Sequence, residues 1–446
     1  MLPAVPVLSG LERTQLISST DPLLVFTSAF LLGAFLHSVA IDRWFRPSVP
    51  SVGPTPIPRQ QIASLAMIYS LAIWLCCHAL WQAWPIRSDP VFVDLFWHSA
   101  SIGYASKYYW LASAQLWLIG LLLVGEWLIL EIHLAPWIRP VIVGYIISIS
   151  GFAFIQRLWT LPETQWVWTG ARLLTSPYED IHSFGAITIA LFLGILGNLS
   201  YRTGRYTKTV VALMGSTVCL TLAIASWSRA AWAAGIIGIS ILTCLHLRKR
   251  WIVALMFGVV FLLALGNHLA KQASWERNQY LWRLGTLIRF ENPLAKDPVR
   301  AGLYHKAIAM IAERPIVGHG IGSFFLKSQN YGAPADPYRG QPNFAHNFLL
   351  QISAELGLPA MILFMGLIST GLYRGYRASR FALQSPDRER LAVGLTIALT
   401  GYLITQMTAN AINIYLSNQL FFWPLLGALL LLPSVENTKV RESNPT

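Results

Sequence analysis

The stretch FAHNFLLQ, residues 344–351, is where a long polar interval ends and an apolar run begins. The polar interval starts near Lys271, and apolar runs long enough to cross a bilayer lie on both sides of it. We therefore expect residues 269–345 to form the only sizeable extramembrane segment of the chain. His346 would then stand at the junction between this segment and the next membrane span.

The composition is that of an integral membrane protein. Hydrophobic residues make up 54% of the 446 residues and charged residues only 12%, whereas soluble domains carry about 25% charged residues. The sequence predicts an all-α membrane protein, a polytopic helical bundle of about 11–12 transmembrane helices with one large outer loop that contains short helices. Residues 91–104 form either a further crossing or an interfacial helix. The predicted spans lie at 23–41, 62–83, 108–131, 139–157, 183–200, 209–227, 229–247, 250–268, 348–372, 391–409 and 413–432.

The basic residues indicate how the bundle is oriented. They collect in the short loops 42–60, 201–208, 248–250 and 373–390. These loops share one side if the spans alternate, and the positive-inside rule makes that side cytoplasmic. The loop 269–345 then faces outward, since it follows a further crossing. Its own basic residues do not contradict this orientation, because loops longer than about 60 residues are exempt from the rule.

We expect three parts in the chain. Residues 1–268 form an N-terminal bundle of about eight spans, 269–345 the periplasmic loop, and 346–446 about three spans with a cytoplasmic tail. The side of the membrane on which the N-terminus lies depends on whether 91–104 crosses.

The net charge of +13 does not by itself indicate a nucleic-acid partner, because the basic residues collect in the short loops. The basic residues are placed for contact with lipid headgroups, which argues against nucleic-acid binding. The cysteines, Cys76, Cys77, Cys219 and Cys244, lie within apolar runs without metal-ligand spacing. We interpret them as core packing residues and expect no metal site.

Arg229 is the first candidate functional residue. It lies in the segment SWSRAAW, residues 226–232, between two apolar runs with almost no room for a loop. A charged arginine at membrane depth costs at least about 2.5–3.5 kcal/mol on insertion scales, so it normally has a partner. Arg229 either extends to the outer headgroups or binds an anion at the membrane surface.

A helix is predicted inside the long loop. Asp297-Pro298 is typical of an N-cap followed by proline at the first helical position, and the helix should end before Pro315. Arg300 lies in its first turn, where the helix dipole favours an anion. Arg300 is therefore either a surface residue or a phosphate ligand. The predicted apolar face contains Leu303, Ile308 and Ile311.

Histidines near this loop are further candidates. The segment GHGIG, residues 318–322, predicts a tight turn and lacks the Gly-Lys-Ser/Thr ending of a nucleotide-binding loop. His319 could line a site by its position alone. A neutral imidazole at a helix N-terminus suits a general base, so His346 is either that base or an interfacial residue. Glu355, deeper in the same helix, is interpreted as an internal hydrogen-bonding partner. Arg172 and His182, near the outer loop 158–182, have either a structural or a catalytic role.

Four features in order resemble the O-antigen ligase/polymerase superfamily of bacterial envelope polysaccharide assembly. The first is Ser228-Arg229 followed by small residues and Trp232, and the second is Arg300 with Tyr304 in place of the usual tryptophan. The third is RPIVGHGIGSF, residues 314–324, and the fourth is HN, residues 346–347, with Leu350 and the segment ELGL at 355–358. The resemblance covers about residues 210–370.

The resemblance implies an inverting glycosyl transfer at the periplasmic face of the bacterial inner (plasma) membrane, from a glycan on undecaprenyl diphosphate. His346 would be the base that deprotonates the acceptor hydroxyl, and Arg229 and Arg300 would bind the diphosphate. Arg172 would be a secondary donor-binding residue. Tyr304 could stack on sugars or anchor the loop. No cofactor or metal is implied, and we expect a monomer or weak oligomer in contact with membrane lipids.

Three functions remain open at this point. A ligase would transfer the glycan to lipid A–core or another terminal acceptor, and a polymerase would add it to a second lipid-linked unit. The third is transport, because some members in photosynthetic bacteria have been labelled inorganic-carbon transporters. The notable charged residues lie at the predicted outer face rather than at the midplane, which favours an enzyme.

Overall fold

The computed structural model describes residues 59–84, 109–129, 146, 150, 181–199, 206–226, 228–246, 298–332, 343–381, 386–409 and 416–432. The structure is all-α, and within these residues every regular element is a helix. The helices are α1 (Arg59–Ala83), α2 (Tyr109–Ile129), α3 (Ile181–Leu199), α4 (Tyr206–Ala225), α5 (Arg229–His246), α6 (Pro298–Glu313), α7 (Phe324–Lys327), α8 (Phe348–Phe381), α9 (Pro386–Ala409) and α10 (Leu416–Leu430). A short 3-10 turn, Ser328–Asn330, follows α7.

The helices agree with the predicted apolar runs. Every one of them except α6 and α7 coincides with a predicted span. Four are long and apolar enough to cross a membrane: Gln61–Ala83, His182–Leu199, Phe348–Ser379 and Arg390–Thr408. The predicted spans at 23–41 and 250–268, the segment 91–104 and loop residues 269–297 lie outside the described residues, as does nearly all of 139–157. The span count and the three-part division therefore stay predictions.

Small residues bring α3 and α9 close together. A Cβ added to Gly194 would meet the Ala398 side chain at 3.2 Å, and one added to Gly197 would meet the Gly394 Cα at 3.0 Å. These pairs run in opposite chain directions, so the two helices are antiparallel. Small residues at such crossings let helix backbones approach closely inside a membrane.

Several helix termini meet at one end of the bundle. In the last turn of α1, Gln82 donates to the carbonyl of Ile321 at 3.3 Å. At the start of α2, the Trp110 backbone lies against Gly322. We call this end, where helix termini meet the turn around 318–322, the loop end. Because α1 ends and α2 begins there, these two helices run in opposite directions.

The interior of the bundle contains a cluster of aromatic rings. Phe364 of α8 contacts Trp117 of α2 at a ring-centroid distance of 5.0 Å and Phe422 of α10 at 5.7 Å. At the end opposite the loop end, the buried Arg374 guanidinium donates to the Leu430 carbonyl. These contacts join α8 to α2 and α10.

The cysteines correct one prediction. Cys219 is buried, as expected of a packing residue, but Cys76 and Cys77 are exposed on α1. The prediction was wrong for these two because an apolar run in a membrane helix faces lipid as well as core. The Cys244 side chain lies outside the described residues.

A break in α8 positions the loop against it. Gly357 has a φ of 84° and separates two helical segments, and Pro359 follows two residues later. The Leu358 N–H donates to the Pro315 carbonyl at 2.8 Å instead of to the preceding helical turn. A Cβ at Gly357 would fall on the carbonyl oxygen of Ile316. The helix therefore bends where the segment after α6 packs on it.

Candidate active site

Helix α6 forms as its local signals predict. It begins at Pro298 and ends at Glu313, before Pro315. The predicted apolar face is wrong in one position, because Ile308 is 54% exposed. The buried face contains Leu303, Ala307 and Met310 instead, and it packs on Ala345 and Ala354.

Lys306 lies on the same buried face and was not identified from the sequence. It has no exposed surface in the structure. Its spacing from Leu303, Ala307 and Met310 is the i, i+3, i+4, i+7 pattern of a buried helical stripe. That pattern is the signal that could have identified it.

The predicted glycine turn is present. Gly318, Gly320 and Gly322 have φ values of 63°, 105° and 65°. Side chains rarely adopt such φ values, and a Cβ at Gly318 would fall on the Glu355 backbone. The N–H groups of His319 and Gly320 donate to the carbonyls of Ala354 and Glu355 at 2.9 and 2.8 Å. The turn is thereby fixed against the end of the first segment of α8.

His319 lies inside this turn region. Its Nε2 is 3.0 Å from the Met310 carbonyl, and its ring meets Tyr331 at a centroid distance of 5.7 Å. Because a carbonyl only accepts, the neutral ring donates from Nε2. Burial lowers the pKa of His319 below its ordinary value. Its carbonyl accepts from Lys327 Nζ at 2.6 Å, and burial lowers the pKa of Lys327 as well.

A second contact ties α6 to the 3-10 turn. The Tyr331 hydroxyl donates to Glu313 Oε2 at 2.5 Å. This hydrogen bond lowers the pKa of Glu313, while burial and the same bond raise the pKa of Tyr331 to about 12. Arg314 lies over the Trp81 ring at 6.0 Å. These contacts hold the C-terminal end of α6 in place.

Glu355 is an internal hydrogen-bonding partner. It is 5% exposed, and its carboxylate accepts from the N–H groups of Gly322 and Phe324 at 2.7 and 3.2 Å. The side-chain amide of Gln351 donates to the same carboxylate at 3.0 Å. Glu355 thus joins the glycine turn to α8.

His346 has an unusual backbone. Its φ is 49°, and it is the sole non-glycine residue with a positive φ among the described residues. This left-handed conformation costs an L-residue about 1–2 kcal/mol. Such strained residues cluster at functional sites, where surrounding contacts enforce them. The side chain of His346 is half-buried immediately before α8.

Asn347 fixes the chain directly after His346. Its Oδ1 accepts from the N–H groups of Leu349 and Leu350 at 3.0 and 3.1 Å, which makes it the N-cap of α8. Its Nδ2 donates to the Met407 carbonyl at 3.2 Å. Because Met407 is in the last turn of α9, this bond places His346 beside the C-terminal end of α9.

Arg229 begins α5 and is half-buried. Ser228, fully buried, precedes it and accepts from the Ala231 N–H at 3.4 Å. His182 Nδ1 lies 3.3 Å from the Ser228 hydroxyl oxygen, which joins the starts of α3 and α5. Since α3 and α9 are antiparallel, the start of α3 lies at the level of the end of α9. Arg229 is therefore at the same end of the bundle as His346.

The remaining candidates divide into two groups. Arg300 and Tyr304 lie in the first two turns of α6, and both are half-buried. They project from the helix that packs on Ala345, the neighbour of His346. Arg172 lies outside the described residues, so its predicted role is untested.

Fold and site together define a helical membrane protein with a histidine and an arginine at one end of the bundle, beside the short helix α6. Residues 210–365 match the model of the O-antigen ligase family (Wzy_C). The match confirms the resemblance to the O-antigen ligase/polymerase superfamily and supports a function of that general type. It includes Arg229, Arg300, His346 and Glu355 but not Arg172. No curated protein matches the chain.

Proposed function

We propose that the chain is a glycosyltransferase that moves a glycan from undecaprenyl diphosphate to an acceptor hydroxyl, at the periplasmic face of the bacterial inner membrane. The observation that carries this proposal is the strained His346, located at the same end of the bundle as Arg229. Both residues lie within the family match. The donor and acceptor are inferred from the family resemblance.

The reaction needs few groups, because a lipid diphosphate is already a good leaving group. His346 accepts the proton of the acceptor hydroxyl, and that oxygen forms a bond to the anomeric carbon of the donor sugar. The bond from this carbon to the phosphate oxygen breaks, and undecaprenyl diphosphate leaves from the opposite face. The configuration at the anomeric carbon is therefore inverted.

Arg229 and Arg300 supply the electrostatic part of this mechanism. Guanidinium groups bind phosphate oxygens in a bidentate manner and neutralise the charge that develops on the leaving group. The N-terminal position of each arginine on its helix adds backbone N–H groups that favour an anion. Arg172 is a secondary donor ligand in this proposal, and Tyr304 contacts sugar or lipid. No metal or cofactor takes part.

The preferred acceptor is lipid A–core or another terminal glycan lipid, which makes the protein a ligase. A polymerase would use the same residues on a second lipid-linked unit. A deletion strain separates the two functions. Loss of a ligase leaves polymerised glycan on the lipid carrier, and loss of a polymerase leaves single repeat units on the core.

The experiment that tests the enzyme proposal complements the deletion strain with His346→Ala. We expect this variant to accumulate in the membrane without restoring surface glycan. The matched control is His305→Ala, because His305 is an exposed histidine on α6. Full glycan display by His346→Ala would refute the assignment of His346 as the base.

A further inference from the structure

A buried chain of hydrogen bonds leads from the glycine turn to His346. It begins at the N–H groups of Gly322 and Phe324, which hold the carboxylate of Glu355. Glu355 accepts from Gln351 Nε2 at 3.0 Å, and Gln351 Oε1 accepts from the Ala345 N–H at 3.3 Å. Ala345 is the residue before His346. We propose that Gln351 and Glu355 are positioning residues that hold His346 in its left-handed conformation; this inference rests on the proposed function.

The chemistry of Gln351 fits this role. One end of its side chain must donate to a carboxylate, and the other must accept from a backbone N–H. A primary amide carries both a donor and an acceptor, whereas a carboxylate or an apolar side chain would lose at least one of these bonds. Gln351 is 1% exposed, so water does not replace a lost partner.

The hydrogen bonds begin at a rigid part of the structure, the glycine turn. Gly322 has a φ of 65°, and a Cβ there would lie 2.7 Å from the Cα of Trp110 in α2. Phe324 is fully buried in the cluster that contains Ala345 and Ala354. The two N–H groups that hold Glu355 are therefore fixed by α2 and by the packing of α6 on α8. Glu355, held by these two groups, in turn accepts from the side-chain amide of Gln351 and fixes its position.

The other side of His346 is held separately. Asn347 caps α8 and binds the Met407 carbonyl, so the chain is fixed immediately after His346. Gln351 fixes the Ala345 N–H immediately before it. His346, with its φ of 49°, thus lies between two residues that are each held by a hydrogen bond. The backbone conformation sets the direction of the His346 Cα–Cβ bond, from which the imidazole extends.

Gln351 and Glu355 do not qualify as catalytic residues. Both are buried, and their polar atoms are directed at protein groups rather than at a substrate. Their effect on the reaction would pass through the position of His346. A displacement of about 1 Å at a reacting group can lower a rate by about 10²-fold.

The test is Gln351→Met, which keeps a long unbranched side chain and removes both hydrogen bonds. Purified protein is assayed with undecaprenyl diphosphate-linked glycan and acceptor lipid, both extracted from the deletion strain. We expect kcat per folded protein to fall by about 10- to 100-fold while KM for the donor is unchanged. The control is Ser353→Ala, because Ser353 is also buried in α8 but bonds only within it, to the Leu349 carbonyl at 2.8 Å. Its kcat should remain at the wild-type value.

Glu355→Gln provides a second variant. In the wild-type protein each carboxylate oxygen of Glu355 accepts from a backbone N–H, so the NH2 group of the introduced glutamine would face a donor instead of an acceptor. It too should lose kcat with an unchanged KM. Wild-type kcat in both variants would overturn the proposal. The proposal would also be overturned if both variants failed to accumulate while Ser353→Ala accumulated. The hydrogen bonds of Gln351 and Glu355 would then have a purely structural role. His346→Ala is measured in the same assay. If it remains active, the proposed function fails. If His346→Ala is inactive and the Gln351 and Glu355 variants are fully active, only the positioning role of these two residues is overturned.

Discussion

The side-chain amide of Asn347 donates a hydrogen bond of 3.2 Å to the backbone carbonyl of Met407. This contact joins the first residue before α8 to the last turn of α9. Because α9 packs antiparallel to α3, it also fixes His346 relative to the end of the bundle that carries Arg229. Two residues far apart in sequence are thereby held at one end of the bundle.

Two substitutions of Asn347 separate its two contacts. Asn347→Ala loses the N-cap and the bond to Met407, and loss of a cap costs about 0.5–2 kcal/mol of stability. Asn347→Asp keeps a capping oxygen at a helix N-terminus, where a negative charge is favourable, but it cannot donate to Met407. We expect the Asn347→Asp protein to unfold near the wild-type temperature and the Asn347→Ala protein to unfold at a lower temperature, as measured by thermal denaturation in detergent.

Glycan transfer by the same proteins tests whether the tie to α9 matters for function. We expect Asn347→Asp to transfer more slowly than wild type despite its near-normal stability, because His346 is less firmly placed. Wild-type transfer by Asn347→Asp would show that the bond to Met407 does not position the base.

Gly357 is expected to be intolerant of any side chain. In Gly357→Ala, the φ of 84° and the Ile316 carbonyl both oppose the added methyl group. A strained backbone position of this kind costs about 1–3 kcal/mol even without a steric overlap. Gly366→Ala in the same helix is the control, since its Cβ would meet only the flexible Met67 sulfur, at 3.1 Å. We expect Gly366→Ala to accumulate normally and Gly357→Ala to accumulate poorly, as measured by yield and unfolding temperature; equal behaviour would argue against the bend.

Because His319 is buried, we expect the free energy of unfolding to depend on pH. Burial lowers its pKa in the folded protein, so the unfolded state binds a proton first as the pH falls through about 6.5. Stability should therefore decline as the pH falls from about 7 towards 5. The lowered pKa of Glu313 acts at lower pH, because its contribution is lost only below the ordinary carboxyl value of about 4.3.

The variant that tests this is His319→Gln, which keeps a donor for the contact to the Met310 carbonyl and does not titrate. Its unfolding temperature should change less between pH 7 and 5 than that of wild type. His305→Gln, at an exposed position of α6, is the control for the substitution itself. The same acid-side decline in His319→Gln as in wild type would assign the effect to other groups.

The parts of this architecture that depend on local sequence could be predicted. Pro298 and Pro315 fix the limits of α6 because proline acts on its immediate neighbours. The three glycines at 318, 320 and 322 predict a turn for the same reason. The apolar runs predict the long helices because burial in lipid requires only length and composition.

The parts that depend on tertiary packing could not be predicted. Ile308 is exposed because α6 packs on the small residues Ala345 and Ala354, which the sequence of α6 alone does not reveal. The left-handed backbone of His346 lies between residues that bond to α8 and α9, and the local sequence does not reveal these contacts. The role of Glu355 as a hydrogen-bonding partner could be foreseen, but not its two backbone donors in the glycine turn.

In the proposed mechanism, the imidazole of His346 is the base for glycosyl transfer. The most direct measurement is the transfer rate of purified His346→Asn with undecaprenyl diphosphate-linked glycan and acceptor lipid from the deletion strain. Asparagine tolerates the left-handed conformation but cannot act as a base near neutral pH. We predict wild-type stability and a kcat lowered by about 10²–10⁴-fold. A kcat equal to that of wild type would show that the imidazole of His346 is not the base.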